Sequence, residues 1–191
     1  YYGYDHIYNA HNFGYAGLPF NWVTMPDQYV LSALQSRERS NPDRPPVMAE
    51  IALISSHAPW TPVAELVPWE QVGDGRIFDS QAVSGPTPEQ VWRDTERIRE
   101  HYRMASEYML RTLVSYVAEY GDENLVVLLL GDHPPAPLVS GDPEGKQVPV
   151  HLLAKDPGVI DAISHWQWQP GMIPDDKAPV WRMDKLRDRF V

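Results

Sequence analysis

Leu125-Val126-Val127-Leu128-Leu129-Leu130-Gly131-Asp132-His133-Pro134 is the stretch on which the fold turns. Six aliphatic residues without a break are what a strand covered on both faces of a parallel sheet requires, and the run stops at polar residues suited to chemistry. A strand is therefore expected over 125–130, with Asp132 and His133 just beyond its carboxyl end. That is where ligands collect in open α/β sheets. A carboxylate beside an imidazole supplies one hard oxygen and one borderline nitrogen, a mixture that suits zinc or manganese. Gly131 is expected to let the chain turn sharply, so that both side chains face one point. The residues alone leave a plainer alternative open, in which Asp132 caps a turn and His133 is an ordinary loop residue.

Upstream of this strand, Thr87-Pro88-Glu89-Gln90 opens the strongest helical pattern, with Thr as cap, Pro at the first position and Gln at the third. The pattern predicts one helix from about Pro88 to Tyr120, ended by Gly121. Ile98, Tyr102, Ala105, Met109, Thr112 and Tyr116 follow steps of four and three, which places them on a stripe facing a core. Earlier still, Val47 to Ile54 has the length and boundaries of a buried strand and runs into Ser55-Ser56-His57. Between that strand and the helix, Ala58 to Gly85 keeps no period and is punctuated by Pro59, Trp60, Pro62, Pro68 and Trp69. It reads as a long surface excursion. A first helix is expected from about Pro26 to Arg37.

Downstream, Val148 to Ala154 is a third strand candidate. Asp156-Pro157 opens a short helix through about Ser164, and an amphipathic turn lies near Met183 to Phe190. Strand, helix, strand, strand, helix, with a long helix as crossover, predicts an α/β fold whose sheet has a parallel component.

Composition narrows the function. The 191 residues are 43% hydrophobic and 22% charged, within the globular range, and one domain is expected. The formal charge of −10 opposes a nucleic-acid surface, because neutralising phosphates needs a positive face. No cysteine is present, which removes disulfides, thiolate zinc sites and cysteine nucleophiles. The 19 prolines are about twice average usage and imply long ordered loops. No run of apolar residues approaches the length of a membrane helix. The start at Tyr1-Tyr2-Gly3-Tyr4 suggests a piece of a longer protein.

Two motifs together carry a resemblance. The apolar strand ending in Gly131-Asp132-His133-Pro134 resembles the carboxy-terminal metal motif of the sulfatase and alkaline-phosphatase superfamily. Ser55-Ser56-His57-Ala58-Pro59-Trp60 is similar to the Ser-His-x-Pro segment of lipoteichoic-acid synthases and phosphoethanolamine transferases. A softer likeness to the same synthases lies in Asn12-Phe13-Gly14-Tyr15 through Met25-Pro26-Asp27-Gln28-Tyr29. Two departures stand beside these. Pro134-Pro135 follows His133 where the family's triplet ends in a second Gly, and no nucleophile segment precedes Tyr1.

The resemblance implies an alkaline-phosphatase-like fold, a mostly parallel sheet flanked by helices, of which residues 1–191 form the carboxy-terminal part of a single catalytic domain. It implies a hydrolase or transferase of phosphate or sulfate esters that works through a covalent enzyme intermediate, with its nucleophile upstream. Asp132 and His133 are then metal ligands for zinc or manganese, with magnesium or calcium as alternatives. His57 is the catalytic group that touches the substrate, and Ser56 lies beside it in the binding site. A lipid headgroup or a glycan is the implied carrier of the ester. The parent is implied to be membrane-anchored, with this domain on the extracytoplasmic face of a bacterial membrane. Two alternatives stand: a sulfatase proper, or an inactive relative that serves as an envelope binding or scaffold domain.

The remaining candidates have plainer readings. His57 also suits a capping role, and His151 inside a strand suits the core better than a ligand sphere. His6, His11, His101 and His165 have no spacing that makes a site. Ser55 and Ser56 next to His57 do not make a serine hydrolase, because sequence neighbours rarely form a dyad and no Gly-x-Ser-x-Gly elbow occurs. Trp60, Trp69, Trp166 and Trp168 suit a sugar or lipid-headgroup surface, but tryptophans in Pro-rich loops more often pin those loops to the core.

Overall fold

A computed structural model describes residues 3–190. They form two compact units, one ending at Tyr120 and the other beginning at Gly121.

The first unit is built on two helices, α1 (Asp27–Leu34) and the 26-residue α4 (Thr95–Tyr120), which pack against each other. Helix α1 starts one residue after the Pro26 expected to open it and runs on into a wide turn at Gln35–Arg39. Its first two residues are polar yet fully buried, and each ties a loop to the helix start. The Asp27 carboxylate accepts from the backbone N–H groups of Ile54 and Ser55, both at 3.0 Å. The Gln28 amide donates to the Val67 carbonyl at 2.7 Å and accepts from the Val67 N–H at 3.0 Å. Buried side-chain groups thus satisfy backbone groups that no sheet or helix satisfies.

The single helix expected from Pro88 is divided. The short helix α2 (Asp79–Ala82) lies within the loop excursion, and α3 (Pro88–Val91) has the expected capping box, Thr87 with Gln90. The chain then breaks, because Asp94 caps a new helix: its carboxylate accepts from Glu96 N–H at 2.8 Å and Arg97 N–H at 3.1 Å. The end before Gly121 is as expected. The buried face of α4 comprises Ile98, Ala105, Tyr108, Thr112, Leu113 and Tyr116, so Tyr108 and Leu113 take the central places expected of Tyr102 and Met109. Steps of three and four drift around a 26-residue helix, and the residue that faces the partner shifts accordingly.

The loop excursion is pinned by its aromatic residues. Trp60, Trp69 and Phe78 are buried, and the Trp69 indole N–H donates to Ser115 Oγ at 2.9 Å while its ring lies edge-on to Tyr116 and Tyr120. Of the two readings of Trp60 and Trp69, anchoring is the one their burial supports.

Val47 to Ile54 differs from expectation. It pairs with no strand among the described residues, and Val47, Met48 and Ile51 are exposed, Met48 at 82%. A short apolar run encodes a tendency to extend, but a strand exists only where a neighbour completes its ladder.

In the second unit β1 (Val126–Leu130) pairs antiparallel with β2 (Val150–Ala154), Leu128 opposite Leu152 at the centre. The two are consecutive strands joined by a loop that contains the short α5 (Pro137–Ser140), a connection for which antiparallel pairing is ordinary. The two ends of β1, Val126 and Leu130, are exposed, where cover on both faces was expected. Helix α6 (Pro157–Ala162) packs against β2 and is capped as expected by Asp156, whose carboxylate accepts from Gly158 N–H at 2.8 Å. A 3-10 turn and α7 (Leu186–Phe190) occupy the expected final segment. Trp166, Trp168 and Trp181 meet with ring centroids 5.3 to 5.7 Å apart around the buried Trp166, so the Trp166–Trp168 pair also serves as a local core. No helix among the described residues is long and apolar enough to cross a membrane.

Candidate functional site

The two groups of expected site residues fall in different units: Ser56 and His57 in the first, Asp132 and His133 in the second. Each has its own geometry.

At the exit of β1, the space around Gly131 is tight rather than its backbone unusual. A Cβ there would lie 3.2 Å from Val148 Cβ and 3.3 Å from its Cγ1, and the backbone is not left-handed. The close approach of Val148 to the end of β1 replaces the sharp turn expected from sequence. Beyond it, one Asp132 carboxylate oxygen accepts from the His133 N–H at 2.9 Å. The other oxygen lies 3.8 Å from His133 Nε2, and the two side chains are 91% and 68% exposed. His133 Nδ1 lies 2.8 Å from the Pro134 carbonyl. A carbonyl only accepts, so Nδ1 carries the proton and the lone pair of the neutral ring is on Nε2. Orientation of the imidazole through the nitrogen that does not ligate is how metal-binding histidines are usually held.

The spacing of the two donors is compatible with two ligands of one ion. Two ligands about 2.0–2.2 Å from a tetrahedral zinc are separated by roughly 3.4 Å, so the 3.8 Å between Asp132 Oδ2 and His133 Nε2 closes with a small side-chain rotation. The pair supplies two ligands, and no group of three or more His, Cys, Asp or Glu that could hold a metal occurs among the described residues. Beside it opens a cleft of about 520 Å³ lined by Pro134, Pro135, Ser140, Asp142, Glu144 and Lys146 among others. His151, read as a core or ligand histidine, donates from Nε2 to the Met172 carbonyl at 2.8 Å, a structural role.

In the first unit the turn that carries His57 is built from beneath. Its base is Asp27, which accepts from Ile54 and Ser55 N–H and whose own N–H donates to Ser55 Oγ at 3.1 Å. The His57 N–H donates to the Ile54 carbonyl at 3.0 Å, closing the turn. The half-buried Ser56 offers its carbonyl to the Trp60 indole N–H at 2.8 Å, so its backbone is fixed by the loop excursion. His57 is exposed, and its Nδ1 lies 2.8 Å from the Ala58 carbonyl, which again leaves Nε2 uncommitted. The exposed Trp22 stacks on the imidazole at 4.2 Å between centroids and 29° between planes.

Burial raises the Asp27 carboxyl from its ordinary value of 3.8 to about 6, against the lowering effect of the hydrogen bonds from Ser55 and Ile54. Its second oxygen is buried without a hydrogen-bond partner.

Asp27 and Trp22 were not legible as site residues. Asp27 carried a signal for a helix start, and nothing in its neighbourhood in sequence points to residues 54–55. Trp22 had no signal beyond its position in an aromatic loop.

Comparison of the chain with family models, with curated proteins and with solved structures returned no match.

Proposed function

We propose that the chain is the carboxy-terminal part of a metal-dependent catalytic domain of the sulfatase and alkaline-phosphatase type, acting on phosphate or sulfate esters. The observation that carries this reading is the Asp132–His133 pair at the exit of an all-aliphatic strand, its carboxylate oxygen and Nε2 exposed and 3.8 Å apart, with Nδ1 already committed. In this reading Asp132 and His133 hold one divalent ion, zinc or manganese by donor type, and the remaining ligands and the nucleophile come from sequence upstream. An ion held by Asp132 and His133 would supply neutralisation of charge on the ester and activation of the attacking oxygen. His57, with Nε2 free, donates to a non-bridging or leaving oxygen when protonated, and accepts from an acceptor alcohol or water when neutral. Ser56, next to His57 in the chain, belongs to the same proposal. A parallel neighbour for β1, which would complete the alkaline-phosphatase-like sheet, belongs to this proposal, as do a lipid-headgroup or glycan carrier and a place on the extracytoplasmic face of a bacterial membrane.

The test is metal content of the purified protein containing the whole catalytic domain, beside Asp132→Ala and His133→Ala, with turnover of bis(p-nitrophenyl) phosphate and p-nitrophenyl sulfate on the same samples. About one zinc or manganese per chain in the wild type, lost with activity in both variants, is the expected result. The ester that is cleaved separates a phosphodiesterase or transferase from a sulfatase proper. A metal-free, inactive wild type overturns the enzyme reading in favour of an envelope binding or scaffold domain.

A further inference from the structure

Trp22 is 57% exposed, yet the chain presents it in a defined way. Phe20 and Val23 exchange both backbone hydrogen bonds, at 2.8 and 3.1 Å, and both side chains are buried, at 3% and 6% exposure. They anchor a two-residue turn whose first residue, Asn21, has φ 58°, a conformation Asn adopts more readily than most residues. The second residue of the turn is Trp22, and its indole lies over the His57 ring. Three residues after Val23 the chain reaches buried Pro26, and then Asp27, whose carboxylate holds the backbone leading to His57. The indole and the imidazole are therefore carried on two loops fastened to the same end of α1.

We infer that Trp22 is a positioning residue for His57: its indole face fixes the plane of the imidazole, so that Nδ1 keeps the Ala58 carbonyl and Nε2 is the atom left to meet a substrate oxygen. The inference rests on the reading that His57 touches the ester. The Ala58 carbonyl holds the ring at one nitrogen only, and the stacked indole adds contact across the ring face that opposes its departure to other rotamers. An exposed histidine without it samples several rotamers, and only part of the population is then competent.

The test has two arms. In the 191-residue chain with isotopically labelled histidine, the His57 ring protons of the wild type are displaced upfield by the indole ring current. Long-range proton–nitrogen correlations place the proton of the neutral ring on Nδ1. Trp22→Ala abolishes the displacement and mixes the tautomers, Trp22→Phe preserves both in large part, and both variants remain folded by circular dichroism. In the metal-loaded protein with bis(p-nitrophenyl) phosphate, His57→Gln lowers kcat about 100-fold or more. Trp22→Ala lowers kcat about 10-fold at unchanged KM, and Trp22→Phe restores most of it.

If His57→Gln abolishes turnover while Trp22→Ala changes neither kcat nor the ring signals, the inference about Trp22 is overturned and the role of His57 stands. If Trp22→Ala lowers kcat without moving the ring signals, Trp22 does not act through His57 and the inference is overturned. If His57→Gln is as active as the wild type, or the wild type is inactive, the reading of the site fails and takes the inference with it.

Discussion

His57 and His133 share one local device and differ in everything around it. Each gives Nδ1 to the carbonyl of the residue that follows, at 2.8 Å, and keeps Nε2 uncommitted. Around His57, a buried carboxylate holds the backbone from below and an indole covers the ring. Around His133, the near neighbour is a carboxylate 91% exposed, close enough to share an ion. In the proposed reading the same side chain serves two tasks. One imidazole is fixed by protein groups, as suits a group that must meet an oxygen in a set orientation. The other has an exposed carboxylate beside it, as suits a site that an ion would complete. The two aspartates follow the same division: Asp27 is fully buried and its carboxyl is pushed up to about 6, whereas Asp132 is left in water.

The comparison breaks most easily at Asp27. Asp27→Ala leaves the Ile54 and Ser55 N–H groups without an acceptor, at about 1–3 kcal/mol each, so a loss of about 4 kcal/mol is expected in urea unfolding near pH 4.5. Low pH is the condition to choose, because at neutral pH removal of a buried charge offsets part of that loss. A stability unchanged by the substitution would mean that the clamp does not support the His57 turn.

The next largest effect is on pH dependence. Because the folded carboxyl titrates at about 6 and the unfolded one at 3.8, the folded state binds the proton more tightly. The contribution of this group is then full below the unfolded value and falls as pH rises to the folded value, a loss on the order of 3 kcal/mol, and is flat above. Asp27→Asn keeps an acceptor for Ile54 and Ser55 and cannot ionise. Urea midpoints measured across about pH 4 to 7 should therefore show a slope in the wild type that the variant lacks.

At the other carboxylate the expectation is reversed. Asp132→Ala should weaken zinc binding about 100-fold or more in isothermal titration, at least the upper end of what orienting groups around a metal ligand are worth. The metal-free unfolding free energy should stay within about 0.5 kcal/mol of wild type, since the side chain supports no buried structure. A large change in metal-free stability would show that Asp132 is a structural cap, the plainer reading of the triplet.

A smaller effect tests where α4 begins. Asp94→Ala removes the acceptor of Glu96 and Arg97 N–H, and a loss of about 1 kcal/mol is expected in thermal unfolding. A neutral result would mean that the Asp94 side chain does not stabilise the start of α4.

What the amino-acid sequence determined by itself is local. The capping box at Thr87, the helix end before Gly121, the Asp156 cap and the aliphatic run of β1 were all legible, because their physics lies within a few residues of one another. Asp132 and His133 were legible for the same reason, being adjacent and following that run. Only the tertiary structure decided that Val47 to Ile54 stays unpaired and exposed among the described residues, since a strand depends on a partner that its own sequence does not contain. Nor does local pattern distinguish an aspartate that starts a helix from one that also holds a turn 27 residues away, or reveal that Trp22 stacks on His57. Burial and stacking are properties of what the chain brings together across sequence, and that is where the surroundings of His57 were set.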